Sequence, residues 1–198
     1  MMKGIFLDIE TTGLDPTRHR CLEIAFKIVD LKSGKEESSF ESVIKQPLDV
    51  WNQTDPGSLE VTGFKWEELE KGIEEAQARD QIIKLINDAH IRRGNAFFIC
   101  QNPSFDRSFF AQIIPVYTQE ELLWPYHWLD FASMYWSLKI KHLNPTDNIN
   151  EVQLSKNSIA KTQGIPPEAH PHRAMNGVKH LIQCYTHVVG WANKQVHN

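Results

Sequence analysis

The run Ile5-Phe6-Leu7-Asp8-Ile9-Glu10 constrains this chain more than any other segment. Three consecutive apolar residues suit a strand buried on both faces of a sheet, which requires pairing neighbours and packed layers above and below. The strand then runs into two carboxylates. Side chains in a strand alternate between faces, so Asp8 and Glu10 project the same way, as paired oxygen donors at the end of a central strand. Two such anions repel unless a cation stands between them. Hard dications such as Mg²⁺ or Mn²⁺ prefer carboxylate oxygen. The alternative is a strand end whose acids are merely solvated, and an Asp-x-Glu pair alone does not decide between the two.

The rest of the composition narrows the classes. A chain of 198 residues, 41% of them hydrophobic, can bury one sizeable core, so one domain over residues 1–198 is expected. The formal net charge of -4 provides no global basic field, and any polynucleotide would be held by local Lys and Arg together with bound metal. Cys21, Cys100 and Cys184 are far apart, odd in number and lack Cys-x-x-Cys spacing, which indicates no disulfide framework or zinc ribbon and fits free thiols in a reducing compartment. No apolar stretch approaches the ~20 residues that span a bilayer, and a cytoplasmic location away from membranes is expected.

Strands come first and helices later. Partly alternating segments at 21–30 and 39–44, separated by the turn Lys32-Ser33-Gly34, join the first strand in an antiparallel meander. Short helices are expected near 58–61 and 66–72, and a longer one at 73–89. A buried-type strand at 96–100 precedes a helix at 105–113 ended by Pro115, and a second strand–helix unit falls at 127–130 and 131–140. The segment 141–151 reads as a loop. Helices at 154–164 and 173–194 close the chain. The result is an α/β mixed sheet with helices on its faces, a class that does not by itself identify an activity.

Two further constellations carry chemistry. In Asn102-Pro103-Ser104-Phe105-Asp106, the acid falls in the first turn of a helix, where the dipole favours it. Phe105, Phe109 and Phe110 have the spacing of a helix face and read as core rather than as a base-stacking platform. His172 stands at the entry to the last helix, where an imidazole can take a proton from water near neutral pH or simply start a helix. The six Trp read mainly as core or interface.

In this order, Asp8-Ile-Glu10-Thr-Thr-Gly-Leu14, Asn102-x-x-Phe-Asp106-x-x-Phe109 and His172-Arg-Ala resemble the motifs of the DEDDh branch of the DnaQ-like exonucleases. The resemblance implies an RNase H-like fold and Mg²⁺- or Mn²⁺-dependent hydrolysis of DNA or RNA from the 3′ end. It implies that Asp8, Glu10 and Asp106 hold metal and that His172 is the general base. Thr11, Thr12, Gly13 and Leu14 would line the terminal nucleotide, with a single-stranded 3′ end as the expected partner. A monomer or a homodimer is expected.

The chain departs from that pattern in one place. The family places a further metal-binding Asp five residues after the His, and here that residue is Gly177. Asn176, beside it, is uncharged and is a possible substitute ligand; a water or an acid from another segment is another. Losing one anion weakens cation binding. The expectation is a weakened exonuclease, or alternatively a catalytically impaired nucleic-acid-binding module on the same fold. If the missing acid limits activity, Gly177→Asp should raise it.

Overall fold

The computed structural model describes residues 1–144 and 146–193. The chain opens with β1 (Lys3–Thr11), β2 (Cys21–Asp30) and β3 (Glu36–Val43), followed by α1 (Leu48–Trp51), α2 (Pro56–Thr62), α3 (Trp66–Leu69) and α4 (Glu75–Asp88). Then come β4 (Ala96–Cys100), α5 (Pro103–Ile113), α6 (Val116–Glu121), β5 (Trp128–Asp130) and α7 (Phe131–Lys141). A single 3-10 turn at Ile149–Glu151 precedes α8 (Lys156–Thr162) and α9 (Ala174–Val188). The five strands form one mixed sheet in the order β3-β2-β1-β4-β5. β1 pairs antiparallel with β2 and parallel with β4, so the central strand is where the sheet changes from meander to strand–helix units.

The period of two along β1 sorts the two cores. Ile5, Leu7 and Ile9 face one layer, where Ile82 and Ile86 of α4 and Phe109 and Phe110 of α5 pack. Phe6 faces the other, against Phe131 of α7, Ile159 of α8 and Val178, Leu181 and Tyr185 of α9. Asp8 and Glu10 share the parity of Phe6 and so emerge on the α9 side. The β1–β4 pairing ends at Phe6 and Ile99. Beyond it β1 continues past the end of its parallel neighbour, which leaves an opening at the carboxyl ends of the parallel strands, where open α/β sheets bind ligands.

Several boundaries differ from the sequence expectation. β3 begins three residues earlier, because its outward side chains are charged or small and give little alternation. α5 begins at Pro103, a favoured first helical residue whose missing N–H needs no partner there. α1 and α6 are too short to show periodicity. α9 ends at Val188 because Gly190 takes a left-handed φ of 80°, and its N–H closes on the Tyr185 carbonyl at 3.0 Å. The expected helix end at 194 lies outside the described residues. The tryptophans with described contacts serve packing: Trp128 stacks on Phe98 with centroids 4.0 Å apart, Trp124 is buried, and Trp51 meets Trp66. All three cysteines are free and buried.

Candidate active site

Asp8, Glu10 and Asp106 line one cleft of about 310 Å³ together with Phe105, Lys156, Glu168 and His172. Larger clefts exist, one of about 620 Å³ beside Lys3 and Phe40, but this is the one that gathers the carboxylates. The strand places Asp8 and Glu10 by alternation, as expected. Asp106 arrives from α5. That helix starts where Asn102 adopts a left-handed φ of 59° and donates its N–H to Asp130 at 3.0 Å, while Asp130 also accepts from Ala132 and Ser133 to start α7. The chain end of β4 is thereby tied to that of β5, and the first turn of α5 is aimed back at β1. Phe109 and Phe110 are core as read; Phe105 is half-buried and forms part of the cleft wall.

His172 is fixed by the segment around it. Its N–H donates to the Val61 carbonyl at 3.0 Å. Next to it, Arg173 pairs with Glu68 at 2.7 Å and lies 3.8 Å from the Phe64 ring centroid. The Ala174 N–H at the start of α9 donates to Glu23 of β2 at 2.7 Å, which satisfies one of the open donors of a helix without a side-chain cap of its own. These ties hold the imidazole, about one-third exposed, at the mouth of the cleft.

Two residues that the motifs did not flag complete the site. Glu168, on the loop between α8 and α9, has its side chain only 2% exposed and accepts an ion pair from Lys156 Nζ at 2.8 Å. Lys156 Nζ also lies 3.8 Å from Asp8 and 3.4 Å from the Gly177 carbonyl. The backbone N–H of Glu168 donates to Asn157 at 2.8 Å, so one turn of α8 fixes both members of the pair. Glu168 Oε1 stands 3.9 Å from His172 Nδ1 and has no hydrogen-bond partner among the described residues.

Gly177 has a physical explanation here. Its backbone is helical, with no positive φ, so conformation does not require glycine. A Cβ at this position would lie 2.6 Å from Asp8 Cγ and 3.1 Å from Glu168 Oε1, and would overlap Asp8 Oδ2. The carboxylates of β1 and of the α8–α9 loop occupy the space of the absent side chain. Asn176 does not line the cleft, whereas Glu168 does. Neither Glu168 nor Lys156 belongs to a local sequence pattern; only the long-range packing of α8 brings them in.

The electrostatics are those of crowded, buried anions. Burial raises the Glu10 carboxyl to about 8, with Asp8, Glu168 and Glu23 adding repulsion that Lys156 partly offsets. Burial likewise raises Asp8 to about 6, against the pull of Lys156. Burial, then Asp8, pushes Asp106 well above the carboxylate range, despite hydrogen bonds from its own backbone and that of Ile9. For Lys156, burial opposes the charge, but Asp8 and Glu168 more than offset it and its pKa is raised.

Such a donor set, all carboxylate oxygen with one Glu168 oxygen unpartnered, fits a hard dication. It does not form a closed cage in advance: among the described residues no three His, Cys, Asp or Glu side chains are disposed to hold one ion together. Within the cleft, the Lys156 ammonium sits against Glu168 and Asp8.

A second cavity of about 290 Å³ adjoins this cleft, sharing Ile9, Glu10 and Phe105. Thr11, Gly13 and Leu14 line it with Ser58, Val61 and Thr62, and Leu14 is 81% exposed. Thr12 is turned inward instead: it is 1% exposed, accepts from the Arg20 N–H at 2.9 Å and pairs with His19 Nδ1 at 3.1 Å. Of the four loop residues expected to line a nucleotide, three face the cavity and Thr12 braces the loop.

A family model described as Exonuclease matches residues 5–185. The chain belongs to the exonuclease family. An oligoribonuclease of Cutibacterium acnes (strain DSM 16379 / KPA171202) is 30% identical over 114 residues, 56% of each chain, so the match spans about half the length of that relative. Among solved structures, E. coli Exonuclease I in complex with a dT13 oligonucleotide superimposes with a TM-score of 0.72 at 19% identity, over 92% of this chain and 40% of that one. Its product-bound form gives 0.73 at 19% identity, over 96% and 44%. These likenesses establish the shared RNase H-like fold: a mixed five-stranded sheet flanked by helices. Among the described residues no helix is long and apolar enough to cross a membrane.

Proposed function

We propose that this exonuclease-family chain, acting as one domain over residues 1–198, removes nucleotides from the 3′ end of single-stranded DNA or RNA in a Mg²⁺- or Mn²⁺-dependent reaction. The observation that carries this reading is the convergence of Asp8, Glu10, Asp106 and His172 on one cleft that opens into the cavity lined by Thr11, Gly13 and Leu14. Asp8, Glu10 and Asp106 are the residues that would hold the ion. When bound, a hard dication neutralises the phosphodiester and makes water a better nucleophile.

The chain's own groups do the rest. His172, partly exposed at the cleft mouth, accepts the proton of the attacking water at an imidazole nitrogen, and Glu168 beside Nδ1 orients the ring. The apolar sides of Leu14 and Phe105 suit the terminal base, and the Thr11–Gly13 turn suits the sugar and phosphate. A free 3′ end fits a cavity bounded by β1 and α2. The free buried cysteines accord with work in the reducing cytoplasm, as a monomer or a homodimer.

Gly177, which supplies no carboxylate where the family motif places one, favours one other reading, a binding module that hydrolyses poorly. Oligonucleotides of DNA and RNA with a free or a phosphorylated 3′ end separate the two. The proposal expects stepwise shortening of the free-ended strand and protection of the blocked one. Binding without shortening favours the module, and shortening from the 5′ end refutes the polarity.

A further inference from the structure

We propose that Lys156 and Glu168 form a built-in charge unit that replaces one cation of a two-metal site, so that this cleft takes a single divalent ion. The inference rests on the exonuclease reading for its meaning, although the count of bound ions can be measured without it. Three observations support it. Lys156 Nζ is held 2.8 Å from Glu168 and 3.8 Å from Asp8, between the two carboxylates that meet at Gly177. The ammonium thus supplies the positive charge on the Asp8–Glu168 side of the cleft, and a dication placed there would stand against it.

The unit is also built rather than incidental. The Lys156 and Glu168 side chains are 12% and 2% exposed, Asn157 fixes the Glu168 backbone, and the Gly177 carbonyl accepts from the ammonium. Finally, Glu168 Oε1 is buried and has no hydrogen-bond partner among the described residues, while facing the point where a side chain at 177 would begin. That oxygen, beside Asp8 Oδ2 at Gly177, is the atom a second ion would take were the ammonium removed. With Lys156 in place, Glu10 and Asp106, which pair with no cation among the described residues, are left to draw one dication against Asp8. If the ammonium is removed, the Glu168–Asp8 side becomes available to another.

Titration calorimetry with Mn²⁺ on the whole chain tests this, paired with thermal unfolding in chelator and in Mn²⁺. Wild type should bind one ion and Lys156→Met two, with Mn²⁺ raising the unfolding temperature of the variant more than that of wild type. Lys156→Arg should remain at one, and adding Glu168→Gln to Lys156→Met should return the count to one. Two ions or none in wild type, or a single ion in a folded Lys156→Met, overturns the proposal. If Lys156→Met fails to fold, Lys156→Gln and the wild-type count decide. A nuclease assay on the same samples keeps the readings apart. One bound ion without cleavage refutes the exonuclease reading and leaves the charge unit standing; cleavage with two bound ions does the reverse.

Discussion

Replacing Gly177 with Ala gives opposite signs under two accounts of that residue. In an ordinary helix interior the change stabilises, since Ala is favoured over Gly by up to about 1 kcal/mol. Here the new Cβ would stand 2.6 Å from Asp8 Cγ, and β1 cannot retreat because Phe6 and Leu7 on either side of it are fully buried. Asp8 must swing away and lose part of its interaction with Lys156 at 3.8 Å. Overpacking of this kind typically costs about 1–3 kcal/mol. A 2.6 Å approach to a carboxylate carbon belongs in the upper part of that range, about 2–3 kcal/mol; less the helix gain, the net loss should be about 1–2 kcal/mol, which lowers the Tm of a chain this size by roughly 2–8 °C. Thermal and urea unfolding in chelator measure it. The double variant Asp8→Ala/Gly177→Ala should recover the loss, because the colliding carboxylate is gone, and a thermodynamic cycle isolates the coupling. Gly177→Asp adds a carboxylate to the same overlap and should lower metal-supported activity, contrary to the sequence expectation of a gain. A Gly177→Ala protein as stable as wild type, or more so, would refute the steric account.

Two other perturbations follow from the same geometry. Carboxyls raised in the fold favour the protonated form, so their contribution to metal-free stability is complete below the unfolded-state pKa and is lost as pH rises, through about 6 for Asp8 and about 8 for Glu10. A dication needs both ionised, so the Tm increase caused by Mn²⁺ should grow from pH 6 to pH 8; an increase that is flat over that range argues against these residues as ligands. His172→Ala should slow cleavage by about 10²–10⁴-fold with little change in oligonucleotide affinity, as loss of a general base does. Equal losses in rate and affinity, measured by single-turnover kinetics and anisotropy, would make His172 a binding residue.

Much of this was legible in the sequence for reasons of periodicity. β1, β2 and β4 showed their apolar runs, and Asp8 and Glu10 needed only strand alternation to be placed on one face. Asp106 needed the strand–turn–helix reading around Asn102-Pro103. What was hidden depended on distant segments. Lys156 lies in a polar stretch, Lys156-Asn157-Ser158, that reads as the exposed start of a helix, and Glu168 lies in a Pro-rich loop. Only the packing of α8 on α9 through Ile159, Ala160 and Val178 carries both into the cleft. Gly177 was visible as an anomaly, but its cause, the Asp8 carboxylate, is 169 positions away in the sequence and adjacent only in the fold.

The most direct test of the account follows a 5′-labelled single-stranded oligonucleotide, as DNA and as RNA, with purified wild type in Mg²⁺, in Mn²⁺ and in chelator, beside Asp106→Asn. The account predicts a ladder of products shortened from the 3′ end in either metal, none in chelator and none with Asp106→Asn. A ladder that persists in chelator or with the variant, or no ladder from a wild-type protein that binds the strand, would contradict it.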